Sequence, residues 1–390
     1  MGDNEHGLSR RDLLRLAAAG SLMLGGLGAP RLAAAQAPAP AIVKPLPPEW
    51  FIPLGTNAEM RWEAMAGQGY VTPSERFFVR NHTATPRIDP ATWRLRISGS
   101  GLRRPEGIEL SLDQLRRLPS CTRVVAIECA GNGRSLFASQ QGTPASGTQW
   151  GLGAIGVARW RGVPLRELLR RAGLTRRAVD VLPEGLDAEV TGQGHVRRPL
   201  PVAKALDDVL VAYEMNGAPL PPDHGFPARL VVPGWVGIAS IKWLGSLTVA
   251  AEPLFSPWST TQYRMTGGDY PPDSAPLTTQ PVKSAFELPW GAALPARRLR
   301  LHGRSWSGAA PIRHVEVRGG GERPRARLHG PSLPHAWVHW TADWRPPAPG
   351  AYDLVARATD RTGATQPDAV PFNGAGYQFW AAARHPVTVG

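Results

Sequence analysis

Arg123-Val-Val-Ala-Ile-Glu-Cys-Ala-Gly-Asn-Gly-Arg134 is the stretch on which the reading of this chain turns. A run rich in β-branched residues predicts a strand, and that strand delivers Cys129 to a Gly-Asn-Gly loop closed by an arginine. The chain has two cysteines in all, so Cys129 is not part of a disulfide lattice. A thiolate in an electropositive setting serves as nucleophile or as soft metal ligand. The plain alternative is a buried free cysteine acting as a small hydrophobe. A strand end followed by glycines, which let another group come close, favours the functional thiol.

Outward from this loop, residues 50–275 mix strand-like and helix-like stretches. Trp93-Arg-Leu-Arg-Ile-Ser98 alternates as a half-buried strand, and Ser111-Leu-Asp-Gln-Leu-Arg-Arg-Leu118 has helical spacing. Pro164-Leu-Arg-Glu-Leu-Leu-Arg-Arg-Ala172 predicts a second short helix, with its proline in the first turn and Gly173 as a stop. Ala228–Pro233 and Ser240–Gly245 predict strands around a glycine-rich bend. The pattern is α+β, without a regular βαβ alternation or a dinucleotide-binding glycine fingerprint.

Residues 276–390 change character. Arg298–Gly303, Pro311–Arg318, Ala336–Trp340 and Tyr352–Ala358 read as short strands between Gly/Pro turns, which suggests an immunoglobulin-like β-sandwich without its disulfide. His302, His314, His329, His335 and His339 fall at spacings that match no compact ligand set, and so read as surface or strand-packing histidines.

Residues 1–35 read as a targeting segment. Ser9-Arg10-Arg11-Asp12-Leu13-Leu14-Arg15 is a twin-arginine signature, an apolar stretch follows, and Ala33-Ala34-Ala35 offers a cleavage site before Gln36. Residues 36–49 read as a Pro/Ala-rich linker. The apolar stretch is too short for a membrane anchor, so the expectation is a periplasmic protein exported folded. Net charge is +13, from 44 Lys+Arg against 31 Asp+Glu. Export, and the lack of basic blocks interleaved with aromatics, argue against nucleic acid as partner. An anionic substrate or an acidic protein partner remains.

Five segments together resemble the sulfite oxidase family of molybdenum enzymes. They are Arg76-Phe-Phe-Val-Arg-Asn-His82, Glu128-Cys-Ala-Gly-Asn-Gly-Arg134, Tyr213-Glu-Met-Asn-Gly-Ala-Pro-Leu220, Asp223-His-Gly-Phe-Pro-Ala-Arg-Leu-Val-Val-Pro-Gly234 and Ile241-Lys-Trp-Leu244. Each is a weak signal alone, and five in order are a strong one. Downstream, Arg357-Ala-Thr-Asp360 and Gln366-Pro367 extend the resemblance to that family's dimerisation domain. The resemblance implies a molybdopterin-binding domain followed by an immunoglobulin-like dimerisation domain, in a homodimer.

It also implies a molybdenum–molybdopterin cofactor with Cys129 as the protein's ligand to the metal. Asn81, His82, Arg134, Asp187, His224, Arg229, Ser240 and Lys242 match positions around that cofactor. The Gly234-Trp-Val-Gly237 bend would offer N–H groups to its phosphate. Arg80 matches an active-site arginine and Tyr263, five residues after Trp258, an active-site tyrosine. With Cys129 and Arg134 they form the implied catalytic set.

Two departures stand out. Phe372-Asn-Gly-Ala-Gly376 has Ala375 where animal sulfite oxidases carry a pocket arginine, and Gly133 replaces a second arginine in the cysteine loop. The resemblance implies sulfite or a related sulfur oxyanion as substrate, and the departures imply either a looser sulfite site or a different substrate, with a sulfane dehydrogenase-like role in thiosulfate oxidation as the alternative. The sequence has no Cys-x-x-Cys-His haem site, no His-Pro-Gly-Gly segment and no flavin or nicotinamide domain, so a separate c-type cytochrome is the expected acceptor. Cys121 is expected to be a spectator thiol. A cofactor-free binding protein is the alternative from another class, opposed by the joint presence of Cys129, Arg80 and Tyr263.

Overall fold

The structure, a computed structural model, describes residues 41–267, 270–320 and 324–390. The twin-arginine segment at 1–35 and the start of the linker lie outside them. No helix among the described residues is long and apolar enough to cross a membrane.

The chain leading into Cys129 forms the strand Cys121–Glu128. It pairs antiparallel with Ile155–Pro164, which continues to Leu210–Met215. Arg229–Val231 and Ala218–Pro219 complete this five-stranded sheet. A second five-stranded sheet runs Ile108–Ser111, Arg94–Ser98, Leu244–Ala250, Asp180–Gly185, Leu200–Pro201, with one parallel pair between Arg94–Ser98 and Leu244–Ala250. Short helices pack against these sheets. Ser111 caps Leu112–Arg116 through a capping box with Gln114. Leu165–Arg171 buries Leu165, Leu168 and Leu169, each worth about 1.5–3 kcal/mol of burial. Pro164 is its N-cap, one position earlier than expected.

One expected strand is displaced. The strand predicted over Ser240–Gly245 begins only at Leu244. Residues Gly237–Ala239 form a 3-10 turn, and Trp243 takes a positive φ of 52°. The apolar pattern of Ile241 and Trp243 reflects burial in a bend, where period-two alternation is uninformative.

The last third of the chain contains two four-stranded sheets. One is Lys283–Phe286, Leu299–Trp306, Trp337–Trp344 and Arg327–His329; the other is Ala292–Leu294, Arg384–Val389, Gly350–Asp360 and Ile312–Arg318. They share a core built on Trp340, Trp344, Val315, Val317 and Leu354, as expected of a β-sandwich. A separate cluster crosses residue 275: Trp306 and Trp337 pack with Trp62, Phe77, Val125 and Trp160. The indole of Trp62 stacks on Trp306 at 5.8 Å. The end of the segment read as a linker is bound into the fold as well. Ile42 is buried, and the N–H groups of Val43 and Lys44 donate to the Asp223 carboxylate at 2.9 and 2.8 Å.

Candidate active site

Strand pairing ends at Glu128, opposite Ile155, and Cys129 is the next residue. Its N–H still donates to Ala154, and successive turns then bond Asn132 N–H to Cys129 and Arg134 N–H to Gly131. Gly133 N–H donates to Gly151, while Glu59 accepts from Gly151 and Gly153 at 2.8 Å each. The cysteine loop is thus fixed from behind through main-chain bonds. Gly133 has φ 92°, and a Cβ there would meet Phe379 at 3.1 Å. That is the physical reason for glycine at this position.

A buried ion pair fastens the same loop from the other side. Lys283 and Glu128, each 2% exposed, lie 2.8 Å apart. Lys283 also donates to the Asn132 carbonyl at 2.8 Å, and the Asn132 amide donates to Glu128 at 2.9 Å.

Cys129 stands where two cavities meet. The first is lined by ten of the eleven residues expected at the site: Arg80, Asn81, His82, Cys129, Asp187, His224, Arg229, Ser240, Lys242 and Tyr263. The second shares Arg80, Cys129 and Tyr263 with it and adds Arg134, Tyr377 and Ala375. Arg134, the eleventh expected residue, therefore faces the second cavity only.

Basic side chains, which a bound anion would hold protonated, dominate the inner wall of the first cavity. Lys242 donates to the Asp223 carbonyl at 2.8 Å and to the Asn81 side-chain carbonyl, and its ammonium lies over the Trp243 ring. Arg229 donates to the carbonyls of His224 and Ser240 at 3.0 and 2.9 Å. Burial pulls Arg229 down to about 9. Burial also holds His224 neutral, with Lys44, Lys242 and Arg229 nearby. The hydroxyl of Ser240 accepts from Val232 N–H at 3.0 Å, so Ser240 shapes the wall. Asn81 acts through Lys242. Val236 N–H is taken by Thr278, and Gly237 is the one residue of the expected Gly234–Gly237 bend that lines the cavity, with Ile238 beyond it.

Asp187 faces this wall with both carboxylate oxygens buried and no well-formed hydrogen bond, the nearby N–H groups of Val196 and of Asp187 itself being outweighed by burial. Burial raises its pKa. A buried carboxylate so placed is costly unless a ligand donates to it. The donor set (one thiol, a carboxylate needing N–H donors, and a group of cations needing an anion) fits a pterin that ends in a phosphate and carries a soft-ligand metal.

At the junction, Arg80 donates to the Tyr263 hydroxyl at 3.3 Å. Burial opposes charge on Arg80, but Tyr263 and Cys129 outweigh it, so the guanidinium stays charged. The Trp258 indole N–H, a donor only, lies 3.2 Å from His82 Nε2. His82 Nε2 is therefore an acceptor and its proton sits on Nδ1. Burial, Arg80 and Lys242 keep that ring neutral. Tyr263, at a strained φ of 57°, also lies 3.3 Å from His82 Nε2 and stacks on Tyr377. The Arg134 side chain runs between Gly131, Gly147 and Gly376, where Cβ atoms would come within 2.6, 3.1 and 2.6 Å of it. It donates to the carbonyls of Ala375 and Thr148 at 2.7 Å each.

Four participants had not been singled out from sequence. Lys44 reaches the Phe77 carbonyl and lies 3.5 Å from His224 Nε2. Arg198, almost fully buried, donates to Trp258 and Leu277, whose N–H in turn bonds Tyr263. Lys283 and Tyr377 are the other two. Only Tyr377 had a usable signal, adjacent to the glycines after Asn373.

Comparison with known proteins agrees with this geometry. Residues 82–258 match the family described as oxidoreductase molybdopterin binding domain. Chicken sulfite oxidase is 37% identical over 335 residues, covering 80% of this chain and 72% of that protein. The chain belongs to the sulfite oxidase family. Mouse mitochondrial sulfite oxidase is 38% identical over 339 residues, again covering 80% of this chain, but the match spans 60% of that protein's length. Among solved structures, the sulfane dehydrogenase SoxCD from Paracoccus pantotrophus has a TM-score of 0.72 and 28% identity, covering 85% of this chain and 84% of that one. Molybdopterin is the cofactor of this oxidoreductase family, and the residues lining the first cavity suit it.

Two outcomes are expected. Lys283→Met strands Glu128 as an uncompensated buried charge and should cost about 3–5 kcal/mol in urea unfolding, most of it recovered in Lys283→Met/Glu128→Leu. A loss below about 1 kcal/mol would mean the pair does not fasten the loop. The second concerns pH. Burial draws Lys44 down to about 7 and Lys242 well below its ordinary value. An unfolded lysine titrates near ~10.4, so above about pH 7 the unfolded chain binds more protons than the folded one. Stability of the cofactor-free protein should therefore rise from pH 7 to 9, by up to about 1.4 kcal/mol per unit for each neutral lysine. A bound anion should flatten that slope, and a urea midpoint falling over this range would refute neutral lysines.

Proposed function

We propose that this chain is a periplasmic, molybdenum-dependent sulfite dehydrogenase that passes electrons to a separate c-type cytochrome. The observation that carries the reading is the junction itself, where the Cys129 thiol, the charged Arg80 and the Tyr263 hydroxyl line both cavities. The first cavity suits the cofactor and the second suits entry of a small anion. The molybdopterin centre, when bound, supplies two-electron redox chemistry at a metal. Cys129 would hold the metal, Lys242, Arg229 and His224 the phosphate end, and Asp187 the pterin N–H groups.

The chain's own residues then act on the anion. Arg80 offers a fixed guanidinium fork to oxyanion oxygens. Burial keeps the Tyr263 hydroxyl protonated. Arg80 donates to its oxygen, so its proton is free to point at substrate or at His82 Nε2. Neutral His82 adds no charge, and its single Nε2 lone pair is shared between the Trp258 N–H and the Tyr263 hydroxyl, which leaves that hydroxyl available to substrate. Arg134 closes the mouth as a second cation.

A second reading, oxidation of sulfane sulfur, is favoured by Ala375 at the mouth and by the structural likeness to SoxCD. The twin-arginine segment supports export. The two-sheet sandwich supports an immunoglobulin-like dimerisation domain, and we place a homodimer interface there.

Protein purified with its signal intact should contain about one molybdenum per chain, lost in Cys129→Ser, and should reduce cytochrome c with sulfite. Metal-free wild-type protein would overturn the enzyme reading. No turnover of sulfite, with turnover of protein-bound sulfane sulfur, would favour the second. Ala375→Arg should lower KM for sulfite by roughly tenfold, the effect of one added charge-assisted bond. An unchanged KM would mean that residue 375 does not face bound sulfite.

A further inference from the structure

Spacing alone gives no ligand set among the histidines of the sandwich, but strand pairing brings three of them together. In the sheet Lys283–Phe286, Leu299–Trp306, Trp337–Trp344, Arg327–His329, residue His339 lies opposite Arg304 on one side and His329 on the other. His302, opposite Thr341, is therefore its diagonal neighbour on the same outward face. The His302 and His339 rings stack at 5.7 Å. Glu287 follows the edge strand, and its N–H is bonded to the His302 carbonyl at 2.9 Å.

The resulting atoms have the form of a ligand set. One side-chain nitrogen each from His302 and His339 and a carboxylate oxygen of Glu287 all lie within 4.8 Å of one another. Glu287 Oε1 is held by Arg304 Nε at 2.5 Å, which fixes the carboxylate and leaves Oε2 toward His339. His339 Nε2 is 3.7 Å from that Oε2, too far for a hydrogen bond. It is also buried and forms no hydrogen bond of good geometry, although it lies close enough to help hold the Glu287 carboxyl below its ordinary pKa. A buried polar atom with no well-formed hydrogen bond, aimed at an anchored carboxylate, points to a missing ligand.

We propose that Glu287, His302 and His339 form a binding site for a divalent transition-metal ion, Zn2+ being the best match. Two imidazoles and one carboxylate are a zinc-type set, with a fourth position open to water. Tetrahedral bonds of about 2.0–2.2 Å place ligand atoms roughly 3.3–3.6 Å apart. The exposed His302 side chain closes that gap by rotation, since its ring is not packed in the core. Arg304 plays the supporting part that hydrogen-bond partners of metal-bound carboxylates play elsewhere. His329 is held at 2.8 Å from Thr341 Oγ1 and stands beside the site. The site is separate from the molybdopterin cavity and rests on none of its residues.

Zinc chloride titrated into the purified full-length protein by calorimetry tests this. Wild type should bind one Zn2+ per chain saturably, with a rise in Tm on addition. His302→Ala and His339→Ala should each weaken binding by at least about tenfold and abolish the Tm rise, while molybdenum content stays unchanged. His314→Ala, on the other sheet of the sandwich, should bind as wild type does. The exposed His302 makes His302→Ala a variant that folds even if His339→Ala does not. Absence of saturable binding in wild type overturns the site, and so does unchanged affinity in His302→Ala.

Discussion

Everything at the junction depends on the buried pair between Lys283 and Glu128. Removing two charges from water is expensive, and their attraction offsets that only with good geometry and further hydrogen bonds. Here Asn132 supplies both, donating to Glu128 and accepting from Lys283. Its side-chain oxygen also accepts from Ala154 N–H at 2.9 Å, tying in the neighbouring strand. Lys283 begins the first strand of the sandwich, whereas Glu128 ends the strand that presents Cys129. The pair therefore sets the register of one half of the protein against the cysteine of the other. A loop shift that moved Cys129 would separate two charges in a low-dielectric interior.

A fastened loop makes the rest of the site's electrostatics tolerable. Lys242, Arg229, His224 and Lys44 lie along one wall, and their depressed pKa values express first the cost of burying them, with repulsion from neighbouring cations added at Lys242 and His224. Asp223 relieves only part of it, because its carboxylate is engaged with Thr85 and with the N–H groups of Val43 and Lys44. Asp187 carries the opposite cost, a buried carboxylate whose nearby backbone N–H groups do not offset its burial. Positive φ values at Trp243 and Tyr263 add backbone strain on either side. These are features of a site arranged for a ligand, with stability taken from the surrounding cores.

Legibility in the sequence followed residue type and motif more than distance along the chain. Of the expected cofactor residues, chemistry alone marked Cys129 and its glycine loop, and the others could be read only because five segments together resemble the sulfite oxidase family. The alternating strands and the two-sheet sandwich could be read from periodicity. Lys44 could not, since its contact with His224 spans 180 positions and its neighbourhood looked like a Pro/Ala-rich linker. Lys283 was hidden for the same reason, as one lysine in an ordinary strand pattern. Residues 240–243 looked like a strand because burial in a bend and burial in a sheet leave similar apolar marks. The histidine face of the sandwich shows the converse. Separations of 37 and 10 residues mean nothing until strand pairing sets His302, His329 and His339 side by side.

The mouth of the second cavity is where the substrate question is decided. Arg134 looks like a free cation in sequence, yet its Nε and one Nη are committed to the carbonyls of Ala375 and Thr148. Its glycine corridor prevents it from swinging to meet a ligand. Arg80, bonded to Tyr263 and facing both cavities, is then the cation best placed to take an oxyanion directly. On the sulfite reading, a dianion is met by one fixed fork and the edge of a second, with an alanine where animal relatives place a third cation. Such a mouth relies on long-range attraction by a basic protein more than on close ion pairing. That combination favours fast capture of a small anion over tight retention of it. It also leaves room beside Ala375, which a larger sulfur carrier would need and free sulfite would not.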